Sequence, residues 1–205
     1  MPHSYANCAD CRYSHGRHLP AEAKALRNHP LSLEDNDSRT LLILQAPGIE
    51  EWKSGKPISS DSPQSAGGKL RKAFHLLGKQ RTAYNISNVV QCFPGKQAPR
   101  GNKEPRDRSP PKSVRSACSK WLREDISKGN YTRVVVFGRH AERAVKELGY
   151  EIDSRFVFAP HPTASGVSIA MLKEYVGSPG RRAVQHEKPR RPLTARKALT
   201  CVAKA

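Results

Sequence analysis

Four short runs of apolar residues limit the folds that this sequence can adopt. The runs span residues 41–44, 84–91, 134–137 and 156–159. Turn-forming or polar residues bound them, as they bound buried strands. Helical segments are predicted between and before these runs, at residues 20–27, 67–77, 114–125 and 139–148. Strands that alternate with helices predict an α/β fold, a three-layer α/β/α sandwich around a central four-stranded, mainly parallel sheet.

The rest of the chain predicts one domain with an arm, an insertion and a tail. A chain of 205 residues is suited to a single hydrophobic core. We expect that domain to span residues 1–176, with an N-terminal arm and a basic, proline-rich solvated loop inserted near 95–112. Residues 177–205 carry many lysines and arginines and form a predicted flexible tail.

The net charge points to a polyanionic partner. Lysine and arginine number 36 against 18 acidic residues, which gives a net charge of +18. Because the sequence has no apolar run near the ~18 residues that a membrane span needs, nucleic acid is favoured over a membrane. The N-terminus also lacks the pattern of a secretory signal, so we expect a cytoplasmic protein.

The cysteines suggest a bound metal group rather than disulfides. Five cysteines are an odd number for a disulfide framework, and a reducing compartment keeps them as thiols. Cys8 and Cys11 form a Cys-x-x-Cys pair, Cys92 follows a predicted strand, and Cys118 lies in a predicted helix. Four thiolates suit either an iron–sulfur cluster or a structural zinc ion, and spacing alone does not separate the two.

Polar motifs follow all four predicted strands, where ligands bind in parallel sheets. Gln45 to Gly48 and then Glu50-Glu51 follow the first strand, and Asn88 stands near the end of the second. Gly138-Arg139-His140 follows the third strand, and His161-Pro162-Thr163 follows the fourth.

In the order and spacing of these motifs the chain resembles the uracil-DNA glycosylase superfamily, specifically its iron–sulfur members of families 4 and 5. The resemblance runs from Cys8 to about Thr163. It implies that Asn88 reads the edge of a flipped base and that His161 stabilises the departing base. It also implies catalytic roles for Gln45 and Glu51, and a base pocket formed with Ala46, Ile58 and Phe93.

The first motif departs from the family pattern in three ways, one of which is a longer loop at residues 59–65, before the glycines. Gln45 replaces an acid, and an amide orients a water molecule but does not accept its proton. Glu51, Glu50 and Asp61 are therefore the candidates to assist the water. Ile58 stands where an aromatic ring would stack on the base, and this change could widen the pocket.

The resemblance also implies a cofactor and DNA contacts. Cys8, Cys11, Cys92 and Cys118 match the ligands of a [4Fe-4S] cluster, with zinc as the alternative, while Cys201 matches nothing. The predicted contacts to single- or double-stranded DNA are the arginines Arg139, Arg181, Arg182, Arg190 and Arg191. We expect a monomer that associates with the prokaryotic nucleoid.

These residues predict a monofunctional DNA glycosylase that flips a base out of DNA and hydrolyses its N-glycosidic bond, with uracil as the first candidate. One alternative is a glycosylase that excises a bulkier modified base, such as a substituted cytosine of the kind that foreign DNA can contain. A different class is a non-catalytic iron–sulfur protein that binds DNA. The missing acid at Gln45 favours that class, whereas Asn88 and His161 argue against it.

Overall fold

A four-stranded, all-parallel sheet forms the centre of the molecule. The computed structural model describes residues 8, 11–27, 29–99, 101 and 105–177. Its strands are β1 (Thr40–Leu44), β2 (Asn85–Asn88), β3 (Arg133–Phe137) and β4 (Phe156–Ala159), in the order β2-β1-β3-β4. The predicted fold class is confirmed. The second strand is shorter than the predicted 84–91, because after Asn88 the chain bends while Val89 and Val90 still donate to carbonyls of Leu44 and Gln45.

Helices pack on both faces of the sheet. They are α1 (Ala21–Leu26), α2 (Ile49–Ser54), α3 (Ala66–His75), α4 (Lys112–Lys128), α5 (Arg139–Glu147) and α6 (Ile169–Gly177). The sequence predicts four of these and misses α2 and α6. The Pro-Gly pair after β1 predicts only a turn. A short helix forms there in the structure, because the apolar ring of Trp52 is buried in the core.

Side chains that alternate along the strands divide the core into two layers. Leu41 and Ile43 of β1 face a cluster with α2, α4 and α5. Leu42 and Leu44, which point to the other face, pack with α3 and α6. Because side chains alternate between the faces of a strand, the four buried residues of β1 contribute two side chains to each layer.

The N-terminal arm packs against the first of these layers. Tyr13, Leu19 and Leu31 are buried in the same cluster as α4. The indole of Trp52 donates a hydrogen bond of 3.0 Å to the carbonyl of Ala23 in α1. The arm is therefore part of the domain core, although the sequence offers few apolar residues to predict this.

The ends of the basic insertion pair with each other. Lys96 and Asp107 form an antiparallel bridge, and Gln97 and Arg108 donate backbone hydrogen bonds across it, each of 2.8 Å. The sequence predicts a solvated loop here; most of the described residues of the insertion are exposed, and this one bridge joins its two ends. We call residues 95–99 and 105–108 the hairpin.

Leu42 provides a test of the core. It is fully buried in the central strand, in register with Ile86 and Val135. We expect Leu42→Ala to lower the free energy of unfolding by about 2–5 kcal/mol, because it removes apolar contacts and leaves a cavity. Denaturant unfolding measures this. Ile152→Ala is the control, because Ile152 is 92% exposed and its truncation should change stability little; equal losses in the two variants would contradict this packing.

Candidate active site

A cavity of about 360 Å³ lies at the carboxyl edge of the sheet. Because all four strands are parallel, the segments that follow them meet at this edge. The predicted site residues that line the cavity are Ala46, Glu51, Ile58, Asn88 and His161. The structure thus brings together residues from three separate segments of the chain, residues 46–58, 88 and 161.

Asn88 presents an unpaired amide to this cavity. It is the last residue of β2, opposite Leu44 of β1, and only 5% of the residue is exposed. Among the described residues, its side-chain amide has no hydrogen-bond partner. An asparagine amide offers a donor and an acceptor, so both remain available to a ligand.

His161 follows β4 and has a defined tautomer. The backbone N–H of Thr163 donates to Nδ1 at 3.3 Å, and the Thr163 hydroxyl lies 2.9 Å from the same nitrogen. Since a backbone N–H only donates, Nδ1 is an acceptor, and the proton of the neutral ring is on Nε2. Burial lowers the pKa of His161, and the charge of Lys69 lowers it further. The ring is therefore a neutral donor through Nε2.

A glycine after β3 makes room for this histidine. Gly138 has φ +87°, a conformation that favours glycine, and a β-carbon there would stand 3.1 Å from Cβ of His161. The close approach of the two loops explains why residue 138 has no side chain.

Glu51 lies at the start of α2 with its carboxylate folded towards the cavity. Burial raises its pKa, and the charges of Asp107 and Glu50 raise it further, whereas backbone N–H groups of Glu51 itself and of Gly48 lower it. A β-carbon on Gly48 would stand 2.6 Å from Oε2 of Glu51, so the glycine is needed for this carboxylate position.

Ile58 adopts a backbone conformation that is unusual for a β-branched residue. Its φ is +44°, in the left-handed region. Arg81 holds the segment in place: it donates to the carbonyls of Pro57 and Ile58 and forms an ion pair with Glu34. We call this set of contacts the Arg81 clamp. It positions the Ile58 side chain in the cavity wall.

The hairpin supplies two further cavity residues, Lys96 and Asp107, which sequence reasoning missed. Their charged groups pair at 2.8 Å. The only hint in the sequence is that Asp107 is an acid within a basic segment. Asp61, one of the three acids considered for assisting the water, does not line the cavity; its side chain is 91% exposed and pairs with Arg71.

Gln45 lies in a neighbouring groove of about 1370 Å³, which it shares with Arg139. His161 and Asp107 line both the groove and the smaller cavity. Arg106 and Arg108 of the hairpin also line the groove. The groove is therefore flanked by basic residues and leads to the cavity.

Phe93 lines neither the cavity nor the groove. Phe93 is 1% exposed and packs in the core cluster with Cys92, where its carbonyl lies 2.8 Å from Nε2 of His18. Its predicted base contact stays a prediction. The tail contacts Arg181, Arg182, Arg190 and Arg191 lie outside the described residues, as does Cys201.

The four predicted cluster ligands lie near one another, and three of them belong to or pack against the core layer that contains α2, α4 and α5. Cys92 and Cys118 are buried in the same core cluster, and Cys11 packs against it. The Cys11 N–H donates to the carbonyl of Cys8 at 3.0 Å, which places these two in one turn. Burial raises the pKa of the Cys92 thiol well above its usual value, and the charges of the other three thiolates raise it further. All four are free thiols.

Residues 31–176 match the sequence model of the Uracil DNA glycosylase superfamily. The chain belongs to this superfamily. The matched segment contains β1 to β4 and every cavity residue named above, whereas Cys8 and Cys11 precede it.

Two curated relatives are more specific. The chain is 29% identical over 108 residues to a Type-4 uracil-DNA glycosylase of Pyrobaculum aerophilum, a match covering 53% of this chain and 48% of the relative. It is 30% identical over 107 residues to a Type-4 uracil-DNA glycosylase of Sulfurisphaera tokodaii, covering 51% of this chain and 42% of the relative. The matches thus span just under half of the length of these relatives.

Two features are absent from the described residues of this superfamily member. None of its helices there has the length and apolar character that a membrane crossing requires. Nor do three side chains of the Cys, His, Asp or Glu type approach closely enough in that part of the chain to hold one metal ion.

The environment of His161 predicts its titration. Its pKa should lie below 6.5, and Lys69→Gln should raise it by removing a positive charge. Lys72→Gln, on the same helix, should leave it unchanged. Histidine resonances followed by NMR against pH measure both effects.

The lowered pKa of His161 makes the stability of the fold depend on pH. Because the pKa is lower in the folded than in the unfolded state, His161 stabilises the fold above about pH 6.5. That contribution is lost as the pH falls through the folded-state pKa. A His161 pKa above 6.5 in the unmodified protein would contradict the described burial.

Proposed function

We propose that this protein is a monofunctional DNA glycosylase that flips uracil out of DNA and hydrolyses its N-glycosidic bond. The observation that carries the proposal is that Asn88 and His161 line one cavity in a member of the uracil-DNA glycosylase superfamily. The names of the two relatives support uracil as the base.

Asn88 would read the base. Its buried amide has a free donor and a free acceptor, and the edge of uracil offers a complementary acceptor and donor. A hydrogen-bonding site discriminates strongly against bases that leave its buried groups unpaired. This side chain would therefore contribute to specificity as well as to rate.

His161 would stabilise the departing base. When the C1′–N bond breaks, its electron pair leaves with the base, and negative charge develops on the base oxygen. The neutral ring with its proton on Nε2 can donate to that oxygen. The lowered pKa supports this role, because the ring need not lose a proton before the reaction.

The four cysteines would hold a [4Fe-4S] cluster, and their donor set fits that group. Four thiolates suit either such a cluster or a structural zinc ion. The resemblance to the iron–sulfur members of the superfamily supports the cluster. When bound, the cluster would cross-link the N-terminal arm to α4 and to the segment after β2.

DNA would lie along the basic groove. Arg139 at the start of α5 lines it together with Arg106 and Arg108 of the hairpin. Phosphates bind such side chains without regard to sequence. Contacts from the tail, a monomeric state, and a cytoplasmic, nucleoid-associated location stay predictions.

Single-turnover excision tests the catalytic roles. We expect His161→Ala to lower the rate on uracil-containing duplex by roughly 100- to 1000-fold, as expected when one donor to a developing oxyanion is lost. Asn88→Ala should lower both rate and discrimination. The assay cleaves abasic sites with alkali after incubation with duplexes that contain uracil, hypoxanthine or a modified cytosine.

His75→Ala is the matched control, because His75 is exposed on α3 and does not line the cavity. Undiminished excision by both site variants would refute the roles of Asn88 and His161. Excision of a modified cytosine in preference to uracil would favour the bulkier-base alternative. Binding without excision of any base would favour the non-catalytic one.

Metal analysis tests the cluster. The purified protein should be brown and contain about four iron and four sulfide per chain. Cys8→Ala should lower the iron content and the thermal stability, because the arm loses its cross-link. Cys201→Ala should change neither the iron content nor the thermal stability. Colourless protein with one zinc ion per chain would show that the cysteines bind zinc and would contradict the cluster.

A further inference from the structure

The proposed reaction needs a group that accepts a proton from the attacking water. The resemblance to the family places an acid at position 45, but this chain has Gln45, whose amide does not accept a proton. Gln45 also lies in the groove beside the cavity that contains Asn88. The chain must therefore provide the acceptor from another position.

Two carboxylates meet at the cavity wall. Around the point where a β-carbon on Gly48 would stand, Oε2 of Glu51 lies at 2.6 Å and Oδ2 of Asp107 at 3.3 Å. Glu51 comes from α2, whereas Asp107 comes from the hairpin, and both line the cavity with Asn88 and His161. They reach the same point from separate parts of the chain.

Resting on the proposed function, we propose that Asp107 is a catalytic residue that forms the water site of this enzyme together with Glu51. The two carboxylates hold the attacking water in the cavity. They also face the positive charge that develops on the sugar as the base departs. The hairpin thus completes the site that Gln45 leaves without an acid.

The proposed step adds one water molecule to C1′ of the sugar and releases the base. The water oxygen forms a bond to C1′, and the C1′–N bond breaks with its electron pair leaving on the base. The water proton passes to Glu51, and the anionic base accepts the hydrogen bond from Nε2 of His161 before solvent protonates it. Asp107, which pairs with Lys96 at 2.8 Å, accepts no proton in this step.

The burial of Glu51 supports this division of roles. Burial and the nearby charge of Asp107 both raise its pKa, which makes it a stronger base than an exposed carboxylate. Asp107 is more exposed than Glu51 and forms an ion pair with Lys96.

Binding of abasic-site analogues tests the proposal without requiring excision. The probes are two duplexes of one sequence, one with a cationic pyrrolidine at the abasic position and one with a neutral tetrahydrofuran. We expect the unmodified protein to bind the pyrrolidine duplex at least about tenfold more tightly, a difference of about 1.4 kcal/mol. Asp107→Asn and Glu51→Gln should each remove most of this preference.

Two control variants separate chemistry from structure. Asp61→Asn removes the same charge from a residue outside the cavity and should keep the preference. Lys96→Met breaks the ion pair within the hairpin and removes a positive charge from the cavity wall but keeps the acid, so it should keep or increase the preference. Loss of the preference in Lys96→Met together with Asp107→Asn would assign Asp107 to hairpin structure and overturn the proposal.

Single-turnover excision at saturating enzyme is the second readout. Asp107→Asn should lower the rate by at least about tenfold, whereas Asp61→Asn should not. An unmodified protein that binds both analogues equally, or an Asp107→Asn variant that keeps the preference, would overturn the role of Asp107. Preference for the cationic analogue with no excision of any base would support the carboxylate pair and contradict the proposed glycosylase.

Discussion

The parallel pairing of β1 with strands on both of its sides is the constraint on which the site depends. Leu42 is in register with Ile86 of β2 and with Val135 of β3, and all three are fully buried. Parallel pairing gives every strand the same direction, so each connection must cross back over a face of the sheet. The polar loops that follow the strands therefore all start at the same edge. Asn88 and His161 reach one cavity for this reason.

Short-range contacts then set the shape of the cavity wall. The Arg81 clamp holds Ile58 in a left-handed conformation that a β-branched residue rarely adopts. A side chain on Gly67 would also meet the Ile58 carbonyl, at 2.5 Å, so α3 approaches this segment closely only because residue 67 is a glycine. Such local strain persists where the surrounding structure determines the conformation, and it is common at functional sites.

The sequence predicts the parts of this structure that depend on local pattern. Apolar runs identify all four strands, and motif order identifies Asn88 and His161 as neighbours at the sheet edge. The apolar pattern does not predict α2, because one buried ring, Trp52, stabilises a helix that is too short to show apolar periodicity. It also fails for Asp107, whose position depends on the pairing of the two ends of a charged insertion.

The hairpin is anchored at both ends by buried residues. Cys92 and Phe93 precede it, and Val114 and Cys118 follow it within the same core cluster. Since the chain is fixed on each side, a change in the length of the segment between them alters mainly the entropy of closing a loop, and a doubling costs only about 0.6 kcal/mol. Insertions, deletions and charge substitutions in this segment can therefore alter the entrance to the pocket while the sheet beneath it remains unchanged.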